Sequence, residues 1–102
     1  GLWRAAADGR TPPERLLAAS GILAPTVAPD GREILFQRNV GGVWGIWAVP
    51  TTPAAPSRGA PEPRPVVVGR ASACMPALSP DGRWLAYAAN ATGRYEVYVR
   101  PY

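Results

Sequence analysis

Leu78-Ser79-Pro80-Asp81-Gly82-Arg83-Trp84-Leu85-Ala86-Tyr87 has an earlier counterpart in Val27-Ala28-Pro29-Asp30-Gly31-Arg32-Glu33-Ile34-Leu35-Phe36, 51 residues before it. The shared Pro-Asp-Gly-Arg core has the chemistry of a tight hairpin turn. Pro29 and Pro80 fix φ near the value that the second position of a type I turn needs. Asp30 and Asp81 can accept hydrogen bonds from neighbouring backbone and hold the bend. Gly31 and Gly82 supply a positive φ that lets the next strand leave in register. Arg32 and Arg83 complete the turn, and an apolar strand follows each copy.

Working outward, Ile22–Thr51 lies over Ala73–Tyr102 without a gap. Pro25 meets Pro76, Phe36 meets Tyr87, Asn39 meets Asn90 and Gly42 meets Gly93. Trp44 meets Tyr95, Trp47 meets Tyr98 and Pro50 meets Pro101. Identities fall on turn residues, whereas strand positions keep only apolar or aromatic character. A repeated backbone demands this, because turns restrict residue type and cores mainly restrict volume. The chain contains an internal repeat, and its architecture follows from the repeated unit.

Read in order, Leu2–Ala6 aligns with the aromatic strand of each copy and is expected to be a strand, although its alanines alone would suggest a helix. Thr11-Pro12-Pro13-Glu14 has the look of a helix start. Against that, Leu16-Leu17 stands as far before Pro29 as Val67-Val68 stands before Pro80. Arg15–Ala18 therefore reads as a short edge strand, like the β-branched Pro65–Val68. Ala24–Ala28, Glu33–Arg38 and Val43–Val49 read as three further strands, with Asn39-Val40-Gly41-Gly42 as a hairpin loop. Ile34-Leu35-Phe36 is apolar on both faces, as in a strand covered from two sides. Pro50–Pro63 is a surface loop, about seven residues longer than its counterpart after Leu2, and reads as a tolerated insertion. Met75–Leu78, Arg83–Ala88 and Tyr95–Arg100 then repeat the first three strands.

A four-stranded antiparallel unit of about 50 residues, apolar on both faces, has the form of a propeller blade. An immunoglobulin-like sandwich would want one polar face per strand and would not repeat at this interval. The predicted fold is thus all-β, a partial β-propeller of about two blades from a propeller of about six to eight. Residues 1–20 are expected to form the last two strands of one blade, 21–71 a complete blade and 72–102 the first three strands of the next. The sequence begins Gly1-Leu2-Trp3 and stops at Tyr102 within a strand, so it reads as a segment of a longer protein. Trp3, Phe36, Trp44, Trp47, Trp84, Tyr87, Tyr95 and Tyr98 recur at equivalent points and are expected to pack between blades rather than to form a stacking surface for sugar or bases.

Ala77–Asn90, followed by Gly93-Arg94-Tyr95-Glu96-Val97-Tyr98-Val99, resembles the TolB-type, WD40-like β-propeller repeat. The resemblance covers nearly the whole chain apart from the Pro50–Pro63 loop, and Glu33 departs from it where Trp84 conforms. It implies a structural role for the Ser-Pro-Asp-Gly turn and the aromatic third strand. Tyr95–Tyr102 is similar to repeats found C-terminal to bacterial transmembrane serine/threonine kinases, which implies a sensing or interaction module outside the cytoplasmic membrane. The same repeat occurs in propellers that gate prolyl oligopeptidase-type hydrolases and in TolB-like periplasmic proteins, which implies the alternative of an accessory propeller.

Composition bounds the other classes. The net charge of +4 comes with eleven arginines and no lysine, spread over turns and strand ends with no basic block, so no nucleic-acid partner is expected. No apolar run approaches the length of a membrane span, and no membrane contact is expected of this segment. The single Cys74 can form no internal disulfide and reads as a small buried side chain. With no histidine there is no triad or His-based metal cluster, and no nucleophile elbow or phosphate-cradling loop is present. Ser79, Asp30 and Asp81 are expected to serve turns rather than catalysis or metal binding. Asn90-Ala91-Thr92 fits a glycosylation sequon but coincides with the hairpin turn of Asn39-Val40-Gly41. No catalytic residue, cofactor or metal is predicted. The expected partners are neighbouring blades and a protein or small ligand at the propeller loops.

Overall fold

The computed structural model describes residues 2–5, 7–10, 12–17, 21–51 and 62–102. The described residues are all-β, and none of them is helical. Strands β1 (Leu2–Arg4) and β2 (Glu14–Leu17) pair in a two-stranded sheet. Strands β3 (Ile22–Val27), β4 (Glu33–Val40), β5 (Val43–Pro50) and β6 (Arg64–Val67) follow in sequence order in a four-stranded antiparallel sheet. Strands β7 (Ala73–Leu78), β8 (Trp84–Ala89) and β9 (Glu96–Pro101) form a three-stranded antiparallel sheet.

The two Pro-Asp-Gly turns close as their residues dictate. Gly31 N–H donates to the Ala28 carbonyl at 2.8 Å and Gly82 N–H to the Ser79 carbonyl at 2.9 Å. Both glycines adopt the left-handed conformation, φ 72° and 74°, which costs a residue with a Cβ roughly 1–2 kcal/mol. Asp30 Oδ1 accepts the Arg32 N–H, and Asp81 Oδ1 accepts the Arg83 N–H. The β4–β5 hairpin turns on Gly41-Gly42, both at positive φ, which matches the right-handed twist of the paired strands.

The repeat extends to hydrogen-bond register. Ile22↔Arg38, Leu23↔Gln37, Thr26↔Leu35 and Val27↔Ile34 reappear as Ala73↔Ala89, Cys74↔Ala88, Ala77↔Ala86 and Leu78↔Leu85. The β4–β5 pairs from Glu33↔Pro50 to Arg38↔Gly45 reappear from Trp84↔Pro101 to Ala89↔Glu96. Even the irregularity is copied. Both inner strands bulge at the same place, with Ala24 at φ 50° and Met75 at φ 56° in the left-handed region, each before a proline. The bulge explains why β3 and β7 begin at Ile22 and Ala73, two residues earlier than the sequence suggests: the chain pairs on both sides of the kink.

The edge strand also needs correction. It spans Glu14–Leu17 rather than Arg15–Ala18, and Ala18 lies outside the described residues. Leu17 pairs with Leu2 as Val67 pairs with Ile46, so Leu17 rather than Leu16 is the equivalent of Val67. Both ladders shift register in the same way beside these pairs, so the one-residue offset comes from the connections: five residues separate β6 from β7, and four separate β2 from β3. Similarly, β1 ends at Arg4 and not Ala6, while β6 is Arg64–Val67 rather than Pro65–Val68. Strand β9 is Glu96–Pro101, leaving Tyr95 in the preceding loop. Of the loop expected over Pro50–Pro63, Pro50 closes β5 and residues 52–61 lie outside the described ones.

Two apolar layers separate the three sheets. Ile34, Phe36 and Val49 of the central sheet meet Leu2 of the first. Leu35, Ile46 and Ala48, on its other face, meet Ala73, Leu85 and Ala89 of the third. The central sheet is therefore covered on both faces, which accounts for the unbroken apolar run of Ile34-Leu35-Phe36. Leu35, Phe36, Ile46 and Leu85 are fully buried, each worth roughly 1.5–3 kcal/mol relative to exposure.

Candidate functional site

Sheet junctions gather polar side chains. At one edge of the junction between the second and third sheets, Arg64 of β6 grips Glu33 of β4 in a two-pronged pair. Its Nε donates to Oε2 and its Nη2 to Oε1, both at 2.9 Å. Tyr102, just beyond β9, inserts its hydroxyl between them. It accepts from Arg64 Nη2 at 2.9 Å and donates to Glu33 Oε1 at 3.0 Å, with the guanidinium 5.6 Å from its ring centroid. The hydrogen bond from Arg64 holds the Glu33 carboxyl below its usual range, and the bond to Glu33 raises Arg64. Partial burial, followed by Glu33, pushes the Tyr102 phenol up to about 12. Glu33 sits where the other repeat has Trp84, so its departure from the aromatic pattern makes a polar clasp between sheets.

Two further bonds cross the same junction. Gln37 is buried, and its Oε1 accepts the Met75 N–H at 2.8 Å. Met75 is the bulged residue of β7, so Gln37 satisfies a backbone donor that the kink has taken out of the ladder. Ser72 Oγ accepts the Trp44 N–H at 3.1 Å, and Asn90 Oδ1 accepts the Ser72 N–H at 2.8 Å. On the other side of the central sheet, Arg4 Nη1 donates to the Thr51 carbonyl at 2.9 Å.

The same junction leaves a depression of about 220 Å³ beside the β6–β7 connection. Val67, Arg70, Tyr87, Ala89 and Tyr98 are among its lining residues. The Tyr87 and Tyr98 rings stack with centroids 5.9 Å apart and planes 18° from parallel. No protein-family model matches this sequence, and no curated protein matches it either. Function therefore has to be read from this geometry and from the repeat.

The turn residues lie where a structural role puts them. The Ser79 hydroxyl donates to Asp81 Oδ1 at 2.6 Å and accepts the Trp84 N–H at 3.0 Å. That first bond, with the Arg83 N–H, holds the exposed Asp81 carboxyl below its ordinary value. A serine so engaged is braced as a turn element. Asp30 and Asp81 each bind backbone in their own turn, and no cluster of potential metal ligands occurs among the described residues. No helix of the described residues is long and apolar enough to cross a membrane. Cys74 is half-buried.

The eight aromatic residues divide. Phe36 is fully buried, Trp47 packs with it, and Tyr87 and Tyr98 pack in the second layer. Trp44 is half-buried. Trp3, Trp84 and Tyr95 are 52%, 49% and 55% exposed, so the burial expected of an inter-blade core is not met for these three. For Trp84 the reason is positional: it pairs with Pro101 on the face of the third sheet turned away from the central one, which no other sheet covers among the described residues. Sequence reasoning missed Gln37, Arg64, Arg70 and Tyr102. For Gln37 and Tyr102 the signal lay in the repeat's mismatches, Gln37 against Ala88 and Thr51 against Tyr102; Arg64 and Arg70 lie outside the aligned spans and carried none.

Proposed function

We propose that this chain is a run of β-propeller blades serving as a non-catalytic interaction or ligand-sensing module. The observation that carries the reading is the repetition of one ladder, bulge included, in sheets stacked face to face. The outer face of the third sheet supports it further. Val97 and Val99 stand 77% and 63% exposed, whereas Ile46 and Ala48, their equivalents in the central sheet, are 0% and 1% exposed beneath the third sheet. A face built like a covered one, and left apolar, fits a further sheet of the same kind.

On this reading the two Pro-Asp-Gly turns and the packed aromatics are structural, and recognition belongs to the junctions and loops. The resemblance to TolB-type repeats adds a placement outside the cytoplasmic membrane, within a bacterial signalling protein such as a serine/threonine kinase. The propeller is tested by joining about six to eight copies of residues 22–72 in tandem and imaging the product. A closed disc is expected, because each added sheet turns by the same angle about one axis. A straight stack or an open filament would overturn the reading.

A further inference from the structure

The two repeats differ at one place where the first supplies its own cation. The Arg38 guanidinium carbon lies 5.4 Å from the centroid of the Trp47 ring, within cation–π range. Gly45, directly across from Arg38 in the ladder, carries no side chain there. In the second repeat Tyr98 replaces Trp47, Ala89 replaces Arg38 and Glu96 replaces Gly45, with Ala89 again opposite Glu96. The ring is kept, the arginine is gone, and a carboxylate has been added on the same face, since cross-strand partners share a face. Tyr98 stacks on Tyr87, and Tyr98 and Ala89 both line the 220 Å³ depression.

We propose that this depression receives the guanidinium group of an arginine side chain from a partner polypeptide, seated on Tyr98 as Arg38 is seated on Trp47. The aromatic ring attracts the cation through its negative face, and Glu96 adds charge complementarity. Val67 and the alanines give the aliphatic stem an apolar wall. Arg70 also lines the depression and is exposed. Its like charge opposes the ligand, which makes its removal diagnostic. An anion held by Arg70 is the competing occupant. The inference deepens the interaction reading and rests on it only for the source of the arginine. The site itself rests on the repeat register, so a disc that failed to close would leave it intact.

The test is an NMR titration of the 102-residue chain with N-acetyl-arginine amide, with the neutral isostere N-acetyl-citrulline amide, and with acetate. Shifts confined to Tyr98, Ala89, Glu96 and the β6–β7 connection are expected with the arginine probe, at a dissociation constant on the order of 10 mM. Citrulline should bind at least about tenfold more weakly, since the loss of charge removes the cation–π attraction. Arg70→Ala should tighten arginine binding, Tyr98→Leu should abolish it, and Ala89→Arg should close the site by restoring the cation in cis. Equal shifts with citrulline, weaker arginine binding in Arg70→Ala, or Arg70-dependent binding of acetate in place of arginine would each overturn the proposal. Arg70→Ala lies on an exposed loop, so it keeps the test decisive if the Tyr98 or Ala89 variant fails to fold.

Discussion

Replacing Gln37 with methionine isolates the bond that binds the β7 bulge to the central sheet. Methionine keeps the length and much of the volume of the side chain but offers no oxygen to the Met75 N–H. Gln37 is only 8% exposed and its bond is 2.8 Å long, so water does not easily take its place. The Met75 N–H is part-buried, and a backbone donor left unsatisfied away from water costs about 1–3 kcal/mol. The added apolar surface of methionine offsets part of this, and a net loss of about 1–2 kcal/mol is expected. In a chain of this size that lowers Tm by roughly 4–16 °C. Urea denaturation followed by tryptophan fluorescence measures the loss, with the slope unchanged if the native surface is unaltered. Hydrogen exchange supplies the local readout, because the Met75 amide should lose protection while the β4–β5 ladder keeps its own. A variant within about 0.3 kcal/mol of the parent, with the Met75 amide still protected, would refute the assignment of this bond as a tie between sheets.

Four other substitutions test the packing and the clasp. Leu85→Ala should cost about 2–5 kcal/mol in the same denaturation assay, because a fully buried side chain that touches both sheets leaves a cavity its neighbours fill only in part. Gly45→Ala should cost about 1–3 kcal/mol, since the new Cβ would lie 2.9 Å from Val68 Cγ1 and 3.2 Å from the Val67 carbonyl oxygen, and the carbonyl is held in the β5–β6 ladder. The clasp contributes at both ends of the pH range. Glu33 is depressed in the fold, so the unfolded chain takes the proton first, and this contribution is present above the ordinary carboxylate value of 4.5 and lost as pH falls below it. Tyr102 is raised to about 12, so the unfolded chain loses its proton first, and stability present below 10 is lost between 10 and about 12. Glu33→Gln should flatten the acid limb of a Tm-versus-pH profile, and Tyr102→Phe the alkaline limb.

The clasp and the bulge show how legible the chain was. That Ala28–Gly31 and Ser79–Gly82 are turns follows from the residues themselves, because proline, aspartate and glycine each restrict local backbone. That Ile34-Leu35-Phe36 is covered on both sides follows from a run without alternation. The bulge at Ala24 and Met75 was not legible, since neither alanine nor methionine favours a positive φ, and the kink is held by pairing on both sides and, at Met75, by Gln37. Nor could spacing match Leu17 rather than Leu16 to Val67, because the connection after β6 is one residue longer than the one after β2 and nothing in the pattern of side chains marks the extra residue.

Strands, turns and the repeat can be read from the residues alone, because they depend on interactions within a few residues and on a periodicity that survives substitution. Which members of the repeat are buried is set by the packing of whole sheets and has no mark in the local pattern. Ile46 and Val97 occupy the same point of the same ladder, yet one is sealed and the other lies in water. Burial depends on what stands across the sheet, and the distant partners that join Glu33, Arg64 and Tyr102 meet only when whole sheets pack.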